Sequence, residues 1–175
     1  MKILLPYCDF KIDDANIVGG IENFIRRVYT QYDNVTLVDL NPLLLECGGD
    51  NSSRDFIKKS NKLIKQKALE KNVDIIMSNR MKAMFIGNDM LDFSIPFIHI
   101  EHMSSPLLSA IGNLHKIKKK GHSIFLVSSF QKNYFDGFAK RRGQDLINFD
   151  GFVEPAFLDG EKPKLNETPE FDCVT

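Results

Sequence analysis

The sequence lacks the segments that would place it in a membrane or outside the cell. No apolar run approaches the roughly 20 residues needed to cross a bilayer. The opening segment, residues 1–7, is too short for the core of a signal peptide and is followed at once by charged residues. The three cysteines, Cys8, Cys47 and Cys173, have neither a zinc spacing nor the even number of a disulfide framework. We therefore expect a cytoplasmic protein with no membrane span.

Two common phosphate-binding signatures are missing as well. Neither G-x-G-x-x-G after a strand nor G-x-x-x-x-G-K-[ST] occurs in the chain. The glycine pair Gly19-Gly20 instead follows the first apolar run only after a polar loop, residues 8–18. Asp39 stands where a ribose-binding acid would stand, but the glycines do not fit that fingerprint. The pair therefore favours either a tight helix entry or a close approach of phosphate or substrate to bare backbone N–H groups.

Short apolar strands alternate with amphipathic helices along most of the chain. The segments that read as strands are residues 3–7, 35–40, 73–78, 96–102, 123–128 and 146–149. The helices between them are predicted at residues 19–33, 54–72, 81–90, 106–120 and 130–143, with a loop at 41–53. Because each strand is joined to the next by a helix, the pattern predicts an α/β, Rossmann-like parallel sheet of about six strands with helices on both faces.

This topology predicts where a site lies before its chemistry is known. In open parallel sheets, ligands bind beyond the carboxyl ends of the strands. Four segments fall there: residues 8–20, 78–80, 101–104 and 128–129.

The histidines divide into two groups. His102 follows a buried strand, and its pattern fits a structural histidine or a site residue. His99 lies just before it, but no third ligand is evident, so we predict no metal site. His115 and His122 stand beside a lysine run and are predicted to lie at the surface.

Charge is balanced overall but unevenly distributed. The net formal charge is zero, yet residues 54–142 hold 17 basic against 7 acidic side chains. A basic middle between acidic ends suits an anionic ligand or a nucleic acid. The helical spacing of most of these lysines also fits an ordinary solvated face.

Four segments resemble, in order, the N-terminal domain of retaining GT-B glycosyltransferases, the large family that includes relatives of glycogen synthase and mannosyltransferases. They are residues 19–22 (Gly-Gly-Ile-Glu), 73–78, 97–102 and 125–134. Met103 and the segment 153–157 depart from that family's usual pattern.

The resemblance implies one half of an enzyme that moves a sugar from a nucleotide-sugar donor, a co-substrate, without any cofactor. Gly19 and Gly20 would approach the donor through their amides, and His102 would hydrogen-bond the transferred sugar as the catalytic-site residue. Candidate acceptor-binding residues are Glu22, Glu101, Ser128 and Ser129. The acceptor itself is undefined, and DNA is one candidate.

The resemblance also divides the chain into two parts. Residues 1–159 would form the Rossmann-like, acceptor-side domain, and residues 160–175 a linker with the start of a second GT-B domain, present in cis or in trans. This half alone is expected to be inactive. Two alternatives from other classes stay open: a stand-alone nucleotide- or anion-binding module without catalysis, and a nucleic-acid-associated protein that uses the basic region 54–142.

Overall fold

The structure is a computed structural model that describes residues 1–8, 25, 29–78, 88–102 and 108–153. Within these ranges the strands are β1 (Ile3–Tyr7), β2 (Val35–Asp39), β3 (Ile75–Ser78), β4 (Phe97–Glu101), β5 (Ser123–Leu126) and β6 (Gly151–Phe152). The helices are α1 (Asn41–Glu46), α2 (Arg54–Glu70), α3 (Asn88–Leu91), α4 (Leu108–Lys119) and α5 (Ser129–Arg141), with a 3-10 turn at Tyr29–Gln31.

All six described strands form one parallel sheet in the order β2-β1-β3-β4-β5-β6. The chain moves outward from β1 to β2 and then returns to the other side of β1 to form β3. The point where the strand order reverses therefore lies between β1 and β3. The prediction of a six-stranded, parallel α/β sheet is confirmed.

Alternate residues of the inner strand β1 face opposite sides of the sheet. Leu4 belongs to the larger core, whereas Leu5 and Tyr7 form a smaller cluster with the helical residue Ile25. All five residues of β1 are buried. A strand buried on both faces is expected when helices cover both sides of a parallel sheet, and the predicted doubly covered architecture is confirmed.

Helix α2 is stabilised by a side-chain cap at its N-terminus and by one buried face. Ser53 precedes the helix, and its hydroxyl accepts the Phe56 backbone N–H at 3.2 Å. The buried positions Phe56, Ser60, Ile64 and Ala68 recur every four residues, so they share one helical face. The lysines of α2 therefore lie on the remaining faces, as predicted.

Two of the predicted boundaries were wrong. Residues 41–46 form α1 rather than a loop, because Pro42 stands in the first turn and Asp39 Oδ1 accepts the Asn41 N–H at 2.8 Å. The last strand pairs at Gly151 and Phe152, not at 146–149. Ile147 and Phe149, which suggested the earlier position, pack on the core without joining the ladder.

His122 was predicted at the surface, but it is only 8% exposed. Its Nδ1 accepts the Phe97 backbone N–H at 3.3 Å, which places the ring proton on Nε2, and Nε2 donates to the Leu91 carbonyl at 2.7 Å. The ring is accommodated in the interior because two backbone groups satisfy both of its nitrogens. His122 therefore links the start of β5 to α3 and to the start of β4.

Three predicted segments fall partly or wholly outside the described residues. Of the first predicted helix, the structure describes Ile25 and the 3-10 turn at Tyr29–Gln31. Of the predicted helix at 81–90, it describes the part within α3. The predicted linker, residues 160–175, lies outside the described ranges. Among the helices that are described, none has both the length and the apolar character needed to cross a membrane.

Candidate functional site

The carboxyl ends of β1, β3, β4 and β5 lie along one edge of the sheet, which we call the carboxyl edge. The last residues of these strands are Tyr7, Ser78, Glu101 and Leu126. Parallel pairing brings these ends together, since Ser78 is in register with His99, and Glu101 with Leu126. This edge also contains the reversal point of the strand order, where such sheets form ligand crevices.

The half of β4 nearest this edge carries a buried polar pair. His99 and Glu101 are 0% and 1% exposed at the side chain, and His99 Nε2 lies 3.5 Å from Glu101 Oε2. The two side chains meet because residues two apart on a strand point to the same face. Ser78 of β3 is also fully buried and lies beside His99 in register. Three polar side chains thus occupy an otherwise apolar part of the sheet.

His99 is unusual because its side chain is buried without a hydrogen bond to another described residue. Among the described residues, neither of its ring nitrogens has a hydrogen-bond partner. The 3.5 Å contact with Glu101 exceeds the usual hydrogen-bond length of about 2.7–3.2 Å. Interior polar groups are normally paired, and an exception is often found next to a functional site.

His102, the predicted sugar-binding residue, follows this pair directly. It is the first residue after β4 and is half-buried, so the chain passes from a closed interior at Glu101 to an accessible imidazole at His102. Both residues make further contacts within the protein. The structure therefore places His102 at the carboxyl edge, with a carboxylate and a second imidazole behind it in the sheet.

The two predicted serines lie at the same edge, at the start of α5. The Ser128 hydroxyl accepts the Gln131 N–H at 3.3 Å and caps the helix, while Ser129 is exposed. The Gln131 side chain, 2% exposed, accepts the Val127 N–H at 2.8 Å through its Oε1. Ser128 therefore has a structural task in this arrangement. A role for either serine in acceptor binding stays a prediction.

The glycine pair and Glu22 lie outside the described residues. The predicted approach of Gly19 and Gly20 to the same ligand as His102 is therefore a prediction that no measured distance tests. The strand before them, β1, does end at the carboxyl edge beside β3. Within the described ranges, no three or more His, Cys, Asp or Glu side chains are grouped so that they could hold a metal ion.

A second concave region lies along α2. It has a volume of about 470 Å³ and is lined, among the described residues, by Asp55, Lys58, Lys59, Asn61, Lys62 and Lys65. We call it the lysine cavity. From the sequence these lysines fitted a solvated face, because spacing alone does not reveal a concave surface.

The pair formed by His99 and Glu101 was also missed from the sequence. A signal for it existed, since a histidine and a glutamate two residues apart interrupt the apolar run of β4 on one face. Because His102 lies close to His99 in the sequence, the two histidines suggested a metal site instead, for which no third ligand was evident.

A comparison of the chain with protein families, with curated proteins and with solved structures finds no match.

Proposed function

We propose that this chain is the acceptor-side half of a nucleotide-sugar-dependent glycosyltransferase, with its site at the carboxyl edge. The observation that carries the proposal is the end of β4, where the half-buried His102 follows the buried pair His99 and Glu101. An imidazole in this position can donate a hydrogen bond to a sugar hydroxyl or accept one from it. The adjoining reversal point of the strand order provides the crevice for the nucleotide sugar.

The proposed reaction breaks the bond between the anomeric carbon and the donor diphosphate and joins that carbon to an acceptor oxygen. Negative charge grows on the departing diphosphate in the transition state, and correctly oriented N–H groups and cations stabilise it. Gly19 and Gly20 suit this task because they have no side chain to keep the donor away from their amides. His102 holds the transferred sugar in place.

A second domain, in cis or in trans, completes the proposed enzyme. It supplies cations for the diphosphate and closes the other side of the crevice. On its own, the 175-residue chain is expected to bind a donor weakly and to transfer sugar at a negligible rate. Appreciable sugar transfer by this chain without any partner would contradict the proposal that a second domain is required for catalysis.

Donor affinity tests the role of His102. In a screen of nucleoside-diphosphate sugars, His102→Ala is expected to weaken the binding of the active donor about tenfold, the equivalent of one lost hydrogen bond of about 1.4 kcal/mol. His115→Ala is the matched control, because His115 is a half-buried histidine on α4, away from the carboxyl edge. Equal affinities of the two variants for every donor that binds would overturn the assignment of His102.

A further inference from the structure

The lysine cavity differs from an ordinary lysine-rich helix surface in its charge. Residues 54–71 contain seven basic side chains, Arg54 among them, and two acidic ones. One of those acids, Asp55, is paired inside the cavity with Lys59 at 2.9 Å, and the Lys59 hydrogen bond lowers the pKa of the Asp55 carboxyl. Among the described residues, no carboxylate lies within ion-pair distance of Lys58 or Lys62. The cavity thus keeps cationic groups that form no ion pair with an acid of the described chain.

Two further features characterise the cavity: a ring contact made by Lys65 and the buried side chain of Asn61. Lys65 Nζ lies 5.7 Å from the centre of the Phe93 ring, which holds this side chain against the segment after α3. Asn61 is only 4% exposed, and its Oδ1 has no hydrogen-bond partner among the described residues. A buried amide oxygen without a hydrogen-bond partner is unfavourable in proteins. Its presence in the lining of a cationic cavity points to a ligand that uses it.

We propose that the lysine cavity is a binding site for a small ligand that bears two or more phosphoryl groups. Lys58, Lys62 and Lys65 would take the phosphoryl oxygens. The Asn61 Nδ2 would donate to a phosphoryl oxygen, and its Oδ1 would accept from a hydroxyl attached to the ligand. The volume of about 470 Å³ lies within the range of small-molecule pockets. None of the lining side chains belongs to the carboxyl edge, so this site does not depend on the glycosyltransferase proposal.

The arrangement favours a small ligand over a nucleic acid. The lining residues run from Asp55 to Lys65, about 15 Å along the helix. A nucleic-acid backbone lying over this surface would meet the exposed lysine tips, but it would not reach the buried Asn61 side chain. A compact polyphosphate can enter the cavity and contact both. Participation of Asn61 therefore separates the two kinds of ligand.

Calorimetric titration with inorganic tripolyphosphate tests the proposal. The unaltered chain is expected to bind one tripolyphosphate saturably. The double variant Lys58→Gln/Lys62→Gln should bind it at least about tenfold more weakly, since two cations close to the anion are lost. The matched control is Lys116→Gln/Lys119→Gln, which removes the same charge from positions on α4 outside the cavity. In a buffer whose salt screens long-range charge interactions, this control should bind tripolyphosphate with an affinity within about twofold of the original chain.

A third variant, Asn61→Leu, tests whether the Asn61 amide binds the ligand, at unchanged charge. It should weaken tripolyphosphate binding and leave the weak binding of a single-stranded oligonucleotide unaffected, with folding checked by far-ultraviolet circular dichroism. The absence of saturable binding, or equal losses in the two lysine pairs, would overturn the proposal in favour of diffuse charge attraction. An oligonucleotide that binds more tightly than tripolyphosphate and displaces it, in the original chain and in Asn61→Leu alike, would overturn it in favour of a nucleic-acid surface.

Discussion

The buried histidine His122 gives the sharpest prediction about stability. Its ring bridges two backbone groups that lie far from it in the sequence, the Leu91 carbonyl and the Phe97 N–H. It also packs edge-on against the Phe97 ring, with the ring centres 6.1 Å apart. The change His122→Ala removes both hydrogen bonds and the ring that fills this space. It leaves a donor and an acceptor in the interior without their present partner.

The size of the effect follows from these contacts. A buried polar group that loses its partner is destabilising by about 1–3 kcal/mol, and two such groups are affected. The empty space left by the ring adds a further loss, because surrounding side chains relax only in part. We therefore expect His122→Ala to lower the free energy of unfolding by about 3–5 kcal/mol, a large fraction of the roughly 5–15 kcal/mol typical of a domain.

Urea unfolding followed by circular dichroism measures this loss. His115→Ala is the control and should change the free energy of unfolding by no more than about 0.5 kcal/mol, as for most substitutions outside the core. His122→Gln keeps one donor and one acceptor and should fall between the two. A loss below about 1 kcal/mol for His122→Ala, at an unchanged dependence on urea, would refute the view that this bridge joins β5 to α3 and β4.

Two further predictions concern acid stability and a helix end. Burial raises the pKa of the Asp150 carboxyl, but the bidentate contact with Lys118 at 2.8 Å and the hydrogen bond from a β5 N–H outweigh it and lower the pKa overall. The resulting stabilisation is present above the unfolded pKa of about 3.9 and is lost as pH falls through the folded value. Urea midpoints from neutral to acid pH should therefore fall less for Asp150→Asn than for the original chain, and parallel curves would contradict the assignment. Gly121 follows α4 and has a positive φ of +80°, and a methyl group added at its Cα would lie in open space. Gly121→Ala should therefore lower the free energy of unfolding by about 1 kcal/mol through backbone strain alone. Gly112→Ala, inside α4 and equally uncrowded, should instead raise it by about 0.8 kcal/mol, and a thermal unfolding comparison in which both changes have the same sign would be inconsistent with this account.

The sheet could be predicted from the sequence because its determinants are local. Five of its strands are short apolar runs, and α2 begins at a serine that caps it. The position of β6 could not be predicted in this way. Ile147 and Phe149 look like strand residues but contribute only packing. Backbone contact with β5 begins at Asp150, whose N–H donates to the Ile124 carbonyl at 2.8 Å, and the strand pairing follows at Gly151.

The candidate site was only partly predictable, because its features are contacts between distant segments. Topology placed His102 at the carboxyl edge, and the structure agrees. The burial of His122 depends on partners 25 and 31 residues away, which no local pattern reveals. Lys65 of the lysine cavity likewise contacts the Phe93 ring, which lies outside α2. By contrast, the alternation within β4 did contain the signal for the His99 and Glu101 pair.

The central claim is that the carboxyl edge binds a nucleotide sugar through His102. The chain contains four histidines, so their imidazole Cε1–Hε1 signals can be followed individually by nuclear magnetic resonance. During titration with a panel of nucleoside-diphosphate sugars, we expect at least one donor to shift the His102 signal saturably while the His115 and His122 signals stay in place. A panel in which no donor moves the His102 signal, or in which all four signals move together, would contradict the claim.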